Sequence, residues 1–155
     1  MRFLHTTLIT GVAALTALVG GATIGGTAAA LPANFTVSAT NPSVADFNSI
    51  VQFLVATPAS DTAKAANIEG GESAVVVPRT VYNLGLFRAP KGSAGVSGPI
   101  VRTDSRATLK MHARSAGRPD ISMPIDFVYQ GNWKLASSSM CQGVKTVGLP
   151  IYCNA

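Results

Sequence analysis

Beyond its first thirty residues the chain carries one histidine, His112, and two cysteines, Cys141 and Cys153. A nucleophilic triad would need His112 beside one of many serines, and no nucleophile-elbow pattern surrounds any of them. The acids are dispersed, so no paired-carboxylate site stands out. Two cysteines and one distant histidine match no zinc spacing, and no metal or other cofactor is implied. Gly70-Gly71 lacks the Gly-Lys-Ser/Thr that a phosphate loop requires. The strongest signal is basic: Arg102, Arg106, Lys110, His112 and Arg114 share one parity, with Asp104 and Thr108 between them. On paired strands they form one polar face. Such a face suits an anionic partner, either a cell-envelope phosphate or glycan or another, acidic protein. The commoner use of such a charge run is solvation of a strand face against aggregation.

The elements that position these residues follow from periodicity. Ile121, Met123, Ile125, Phe127 and Tyr129 alternate with Ser122, Pro124, Asp126 and Val128, the period of a half-buried strand. A three-residue loop, Gln130-Gly131-Asn132, pairs Tyr129 with Trp133 and Phe127 with Leu135, putting the large residues on one face. Asn132 then takes the left-handed position. Ala107, Leu109, Met111 and Ala113 alternate likewise and predict a second strand. Pro99 to Arg102 reads as a short strand, with Thr103-Asp104-Ser105 as the turn. Upstream, Val44, Phe47, Ile50, Val51 and Leu54 form one helical stripe, with Asn41 or Ser43 as cap and Pro42 in the first turn. Pro58 ends that helix. A turn of helix at Asp61 to Ala66 and a Gly70-Gly71 loop follow. A second, Pro-interrupted helix lies within Ser73 to Arg88, and Ala89 to Ser97 reads as a loop. Ser137 to Val147 is a short helix or an irregular tail. Helices first and strands after make an α+β domain, with helices packed on an antiparallel sheet.

Residues 1–30 read as a secretory signal peptide. Arg2 and His5 precede an apolar run from Leu8 to Val19, and Ala28-Ala29-Ala30 offers a cleavage site before Leu31. Residues 31–155 are then one exported domain, extracellular or in the cell envelope, with no membrane anchor after cleavage. Export brings oxidising conditions, so Cys141 and Cys153 read as a disulfide. Charge is uneven along the chain. From Leu31 to Pro78 the only base is Lys64, against Asp46, Asp61, Glu69 and Glu72; from Arg79 onward ten Lys and Arg face Asp104, Asp120 and Asp126. Nucleic acid is disfavoured, because the protein is exported and has no interleaved aromatics for stacking.

Phe127-Val128-Tyr129-Gln130-Gly131-Asn132-Trp133-Lys134-Leu135-Ala136-Ser137 resembles the end of the mycobacterial low-molecular-weight secreted antigen family, which closes on a strand, Gln-Gly-Gly and Trp-x-Leu-Ser. Ile68-Glu69-Gly70-Gly71 resembles that family's Val-Glu-Gly-Gly loop. The resemblance runs from about Asn41 to Met140. It departs at Asn132, where the family usually has Gly, and in the cysteine-bearing tail. It implies export by an actinobacterium, an α+β domain and no assigned enzymatic role. The layout is also similar to the cone-shaped, cystatin-like folds of the nuclear transport factor 2 class. Folds of that class can host acid–base chemistry, and the resemblance makes Asp126 the candidate here, with Tyr82 as a donor; Asp126 alternates with large apolar residues, however, and so faces away from whatever they face. The resulting expectation is a secreted, non-catalytic binding or cell-envelope interaction module. The alternative is a small-molecule-binding or isomerase- or hydrolase-like domain with a pocket between helices and sheet. Amino-terminal sequencing of exported protein should begin at or near Leu31; full-length chain in the membrane fraction would contradict the leader.

Overall fold

The computed structural model describes residues 31–153, so the expected leader lies outside the described residues. The chain lays down helix α1 (Val44–Val55), helix α2 (Asp61–Ala65), a 3₁₀ turn (Gly71–Ala74) and helix α3 (Val76–Leu84). Strands β1 (Gly92–Arg102), β2 (Arg106–Ser115), β3 (Ile121–Tyr129) and β4 (Trp133–Leu135) follow, and helix α4 (Ser137–Val147) closes the order. The four strands form one open antiparallel sheet in the order β1-β2-β3-β4, with the helices packed against it. This is the α+β arrangement expected.

The β3–β4 hairpin takes the predicted register, with Phe127 opposite Leu135 and Tyr129 opposite Trp133. In its loop Gly131 has a positive φ of +83°, and Asn132 donates from its side-chain amide to the Ala66 carbonyl. Trp133 is 2% exposed and donates from Nε1 to the Ala39 carbonyl at 2.9 Å. Phe47 of α1 meets both it and Phe127, with ring centres 5.3 and 4.7 Å away. These three rings are the centre of the core and fix α1 on the sheet.

The two ends of α1 explain its position. Ser43 accepts from the Asp46 amide while the Asp46 carboxylate accepts from the Ser43 amide, a reciprocal cap. Pro42 therefore precedes the cap and does not occupy the first turn. At the other end the last turn of α1 has no basic residue of its own. The buried Lys64 of α2 takes that role, donating from Nζ to the Leu54 carbonyl at 2.8 Å and lying 4.3 Å from the Tyr82 ring centre. Burial pulls its pKa down to about 8; nearby Asp61 opposes that shift and Arg88 adds to it.

Two expectations change. Pro78 does not interrupt α3, because it sits in the first turn, where its missing N–H has no intrahelical partner to lose. The stretch read as a loop before Pro99 is most of β1, eleven residues long. Its glycines are needed for close approach: a β-carbon on Gly92 would strike the carbonyls of Arg114 and Leu86, and one on Gly95 would lie 2.7 Å from Asn48 Oδ1. Ser137 to Val147 is helical, and Cys141 and Cys153 are bonded with Cα atoms 5.4 Å apart. Closing that short loop contributes about 3 kcal/mol in the chain-entropy model.

Both edges of the sheet are bonded. On β1, α1 supplies Gln52, which donates to the Ala94 carbonyl, and Asn48, which accepts from the Val96 amide. Beyond the short β4, the outer edge of β3 meets the start of α4: Ala136 donates to the Asp126 carbonyl and Ser139 Oγ accepts the Asp126 amide. Pro124 has the same parity as Asp126, so its missing donor falls on this side and costs β2 nothing. On β4, Trp133 and Leu135 donate to the carbonyls of Val37 and Asn67, and Glu69 donates back to Leu135. Glu69 also accepts the Ser137 amide at 2.9 Å, capping α4. The Ile68-Glu69-Gly70-Gly71 segment is thus a joint between sheet edge and helix.

Trp133→Ala should lose about 3–5 kcal/mol of stability, read as a sharp drop in the urea midpoint. A second test concerns Lys64. Above about pH 8 it is neutral in the folded chain, yet it stays charged in the unfolded chain up to about 10.5. The unfolded state then binds more protons, so stability from this group rises with pH across that window. Urea midpoints from pH 7.5 to 10.5 should therefore climb more steeply for the native chain than for Lys64→Met. Parallel profiles would rule out this coupling.

Candidate functional site

Ala107, Leu109, Met111 and Ala113 of β2 pair with Phe127, Ile125, Met123 and Ile121 of β3 and face the helices. The alternate residues form the opposite, open face. There Lys110 lies between Ser97 and Pro124, and His112 between Gly95 and Ser122. Arg106, Lys110, His112 and Arg114 are all exposed on this face.

Arg102 is not with them. It pairs with Ala107: four residues, Thr103 to Arg106, lie between the paired positions, and that even number reverses the parity the sequence implied. Its guanidinium turns to the helix side, donating to Asn41 Oδ1 and the Pro42 carbonyl and lying 6.0 Å from the Trp133 ring centre. Val101 takes its place on the open face, 65% exposed.

The remaining cations differ in what holds them. Arg106 pairs with Asp126 at 3.0 Å, and Thr108 donates to the other oxygen of that carboxylate at 2.6 Å. Arg114 pairs with Asp120 at 3.0 Å. Among the described residues no carboxylate lies within ion-pair distance of Lys110. His112 is oriented between two hydroxyls, 2.9 Å from Ser97 Oγ and 3.4 Å from Ser122 Oγ. A register irregularity in β1 between Ser97 and Val101 leaves a shallow, open depression of about 290 Å³ beside Lys110. Pro99, Val101, Thr108, Leu109, Ser122, Met123 and Pro124 form the rest of its lining. The sequence named the cation but missed these apolar walls, since the parity that placed Arg102 on this face placed Pro99 and Val101 on the other.

The acid–base candidates do not converge. Asp126 lies on the open face in the contacts just given. Tyr82 is on the other side of the molecule from that face, with its ring against Lys64 and the Arg88 guanidinium, the latter 4.4 Å from its centre. Between helices and sheet there is a cavity of about 70 Å³ whose only polar side chain is Ser139, already bonded to the Asp126 amide. Among the described residues no cluster of three His, Cys, Asp or Glu could hold a metal, and no helix is long and apolar enough to cross a membrane.

No curated protein matches the chain. The profile of the family described as low molecular weight antigen MTB12, C-terminal domain, matches residues 40–151. The match takes in α1, the Glu69 joint, the whole sheet and α4, including the hairpin on which the resemblance was drawn. The chain belongs to the low molecular weight antigen MTB12 C-terminal domain family.

Proposed function

We propose that the protein is a secreted, non-catalytic interaction module whose open sheet face engages an anionic partner of the cell envelope. The observation that carries this is Lys110. It stands at the middle of a three-stranded polar face, with no carboxylate in reach among the described residues, beside a depression walled by Pro99, Val101 and Pro124. Arg106 and Arg114 each have a carboxylate partner within the molecule. Lys110 and His112 are the groups offered outward, with Ser97 and Ser122 as further hydrogen-bonding partners. A phosphate or carboxylate group over Lys110 could be reached by these hydroxyls, while the prolines and Val101 accept a non-polar part of the same partner.

Family membership and the disulfide both agree with export. The cone of the nuclear transport factor 2 class remains a fold-level analogy and carries no function here.

The test uses immobilised polyphosphate and elution by salt. Lys110→Glu and Lys145→Glu change net charge equally, but Lys145 lies on the exposed side of α4. Lys110→Glu should elute at clearly lower salt than Lys145→Glu, with both folded by circular dichroism. Equal elution of the two would mean that only net charge matters, and the face reading would fail.

A further inference from the structure

The interior cavity has a composition that packing alone does not require. The sequence has four methionines, and the three after Met1 all line it: Met111 from β2, Met123 from β3 and Met140 from α4. Methionine is unbranched and deformable, so a wall built from three of them adjusts to a guest more readily than one of Val and Ile. Gly143, inside α4, is also in the wall, and a β-carbon there would meet no atom within 4 Å. Glycine is a poor residue for a helix interior, yet here open space adjoins it. The cavity holds about 70 Å³, room for about five water-sized groups. Its lining offers water almost no hydrogen bonds, so an apolar guest is favoured over solvent.

One cation adjoins this wall. Arg118 donates from Nη1 to the Val147 carbonyl at 2.5 Å, and Val147 and Ile121 both line the cavity. Arg118 is exposed, in the turn just before β3.

We propose that the space between α3, α4 and the sheet binds a single-chain alkyl carboxylate, with the chain end among Met111, Met123 and Met140 and the carboxylate at Arg118. This site is separate from the open face, since the two lie on opposite sides of the sheet. The chain is recognised by exclusion from water and the head by charge. Gly143 keeps the space between them clear.

Methyl-labelled methionine spectra of the disulfide-bonded protein, titrated with octanoate and with octanol, test this directly. Saturable shifts of the Met111, Met123 and Met140 methyls with octanoate are expected, and weaker binding of octanol. Gly143→Leu should lower octanoate affinity at least tenfold, in a chain whose unfolding midpoint is kept or raised. Arg118→Ala should lower octanoate affinity severalfold and leave octanol unchanged. Unmoved methionine methyls with both probes would overturn the site. Equal affinity for the two probes, or an unaltered octanoate affinity in Arg118→Ala, would overturn the place of the carboxylate.

Discussion

Four strands in an open sheet leave two edges, and the unbonded amides and carbonyls of an edge must be satisfied or hidden. Most of the architecture follows from how this chain meets that requirement. β1 is closed by two side chains of α1, which fixes where that helix crosses and which of its faces is polar. β3 outlasts its three-residue partner β4, and the start of α4 takes over the exposed stretch through Ala136 and Ser139. β4 is closed by segments that lie before and between the helices. Because each edge is covered by a different part of the chain, the helices are confined to one side. Among the described residues no element covers the other side, and its side chains are the ones offered to solvent.

The hairpin and the long stripe of α1 were legible because their periods are strong and their large residues fall on one face. Register followed from the same fact, as a slip by one would have turned Phe127, Tyr129 and Trp133 away from the core. β1 was hidden for an opposite reason. Gly92, Ser93, Gly95, Ser97 and Gly98 carry no apolar alternation, and the strand is specified by what comes close to it: backbone at Gly92 and Asn48 at Gly95. Such specification sits in the neighbours and not in the segment. The same holds for Lys64, whose burial depends on Tyr82 and the end of α1, both distant in sequence. For the candidate site, parity identified Arg106, Lys110, His112 and Arg114 correctly as one face. It misassigned Arg102, since parity survives a turn only when the turn length is known.

Ion pairing also separates residues that composition treats alike. The basic half of the chain looks uniform when charges are counted. In the fold, Arg102 braces the segment before α1, Arg106 and Arg114 hold carboxylates, and Arg118 caps the end of α4. Lys64 is turned inward altogether. The charge presented outward on the sheet is therefore narrower than the sequence total, and it is centred on one lysine.

The even spacing between Arg102 and its partner Ala107 across the turn from β1 to β2 has an effect out of proportion to its size. Arg102 now clasps the backbone at Pro42 and lies over the Trp133 ring. One residue more or fewer in the turn would swing that guanidinium across the sheet and place it in line with Lys110, while Val101 would move inward. A single insertion or deletion would thus do what no single replacement does: strengthen the outer charge and slacken the amino-terminal clasp together. Among descendants of such a chain, variation in loop length would act as a coarse dial on surface character, with the cost registered at the opposite side of the molecule.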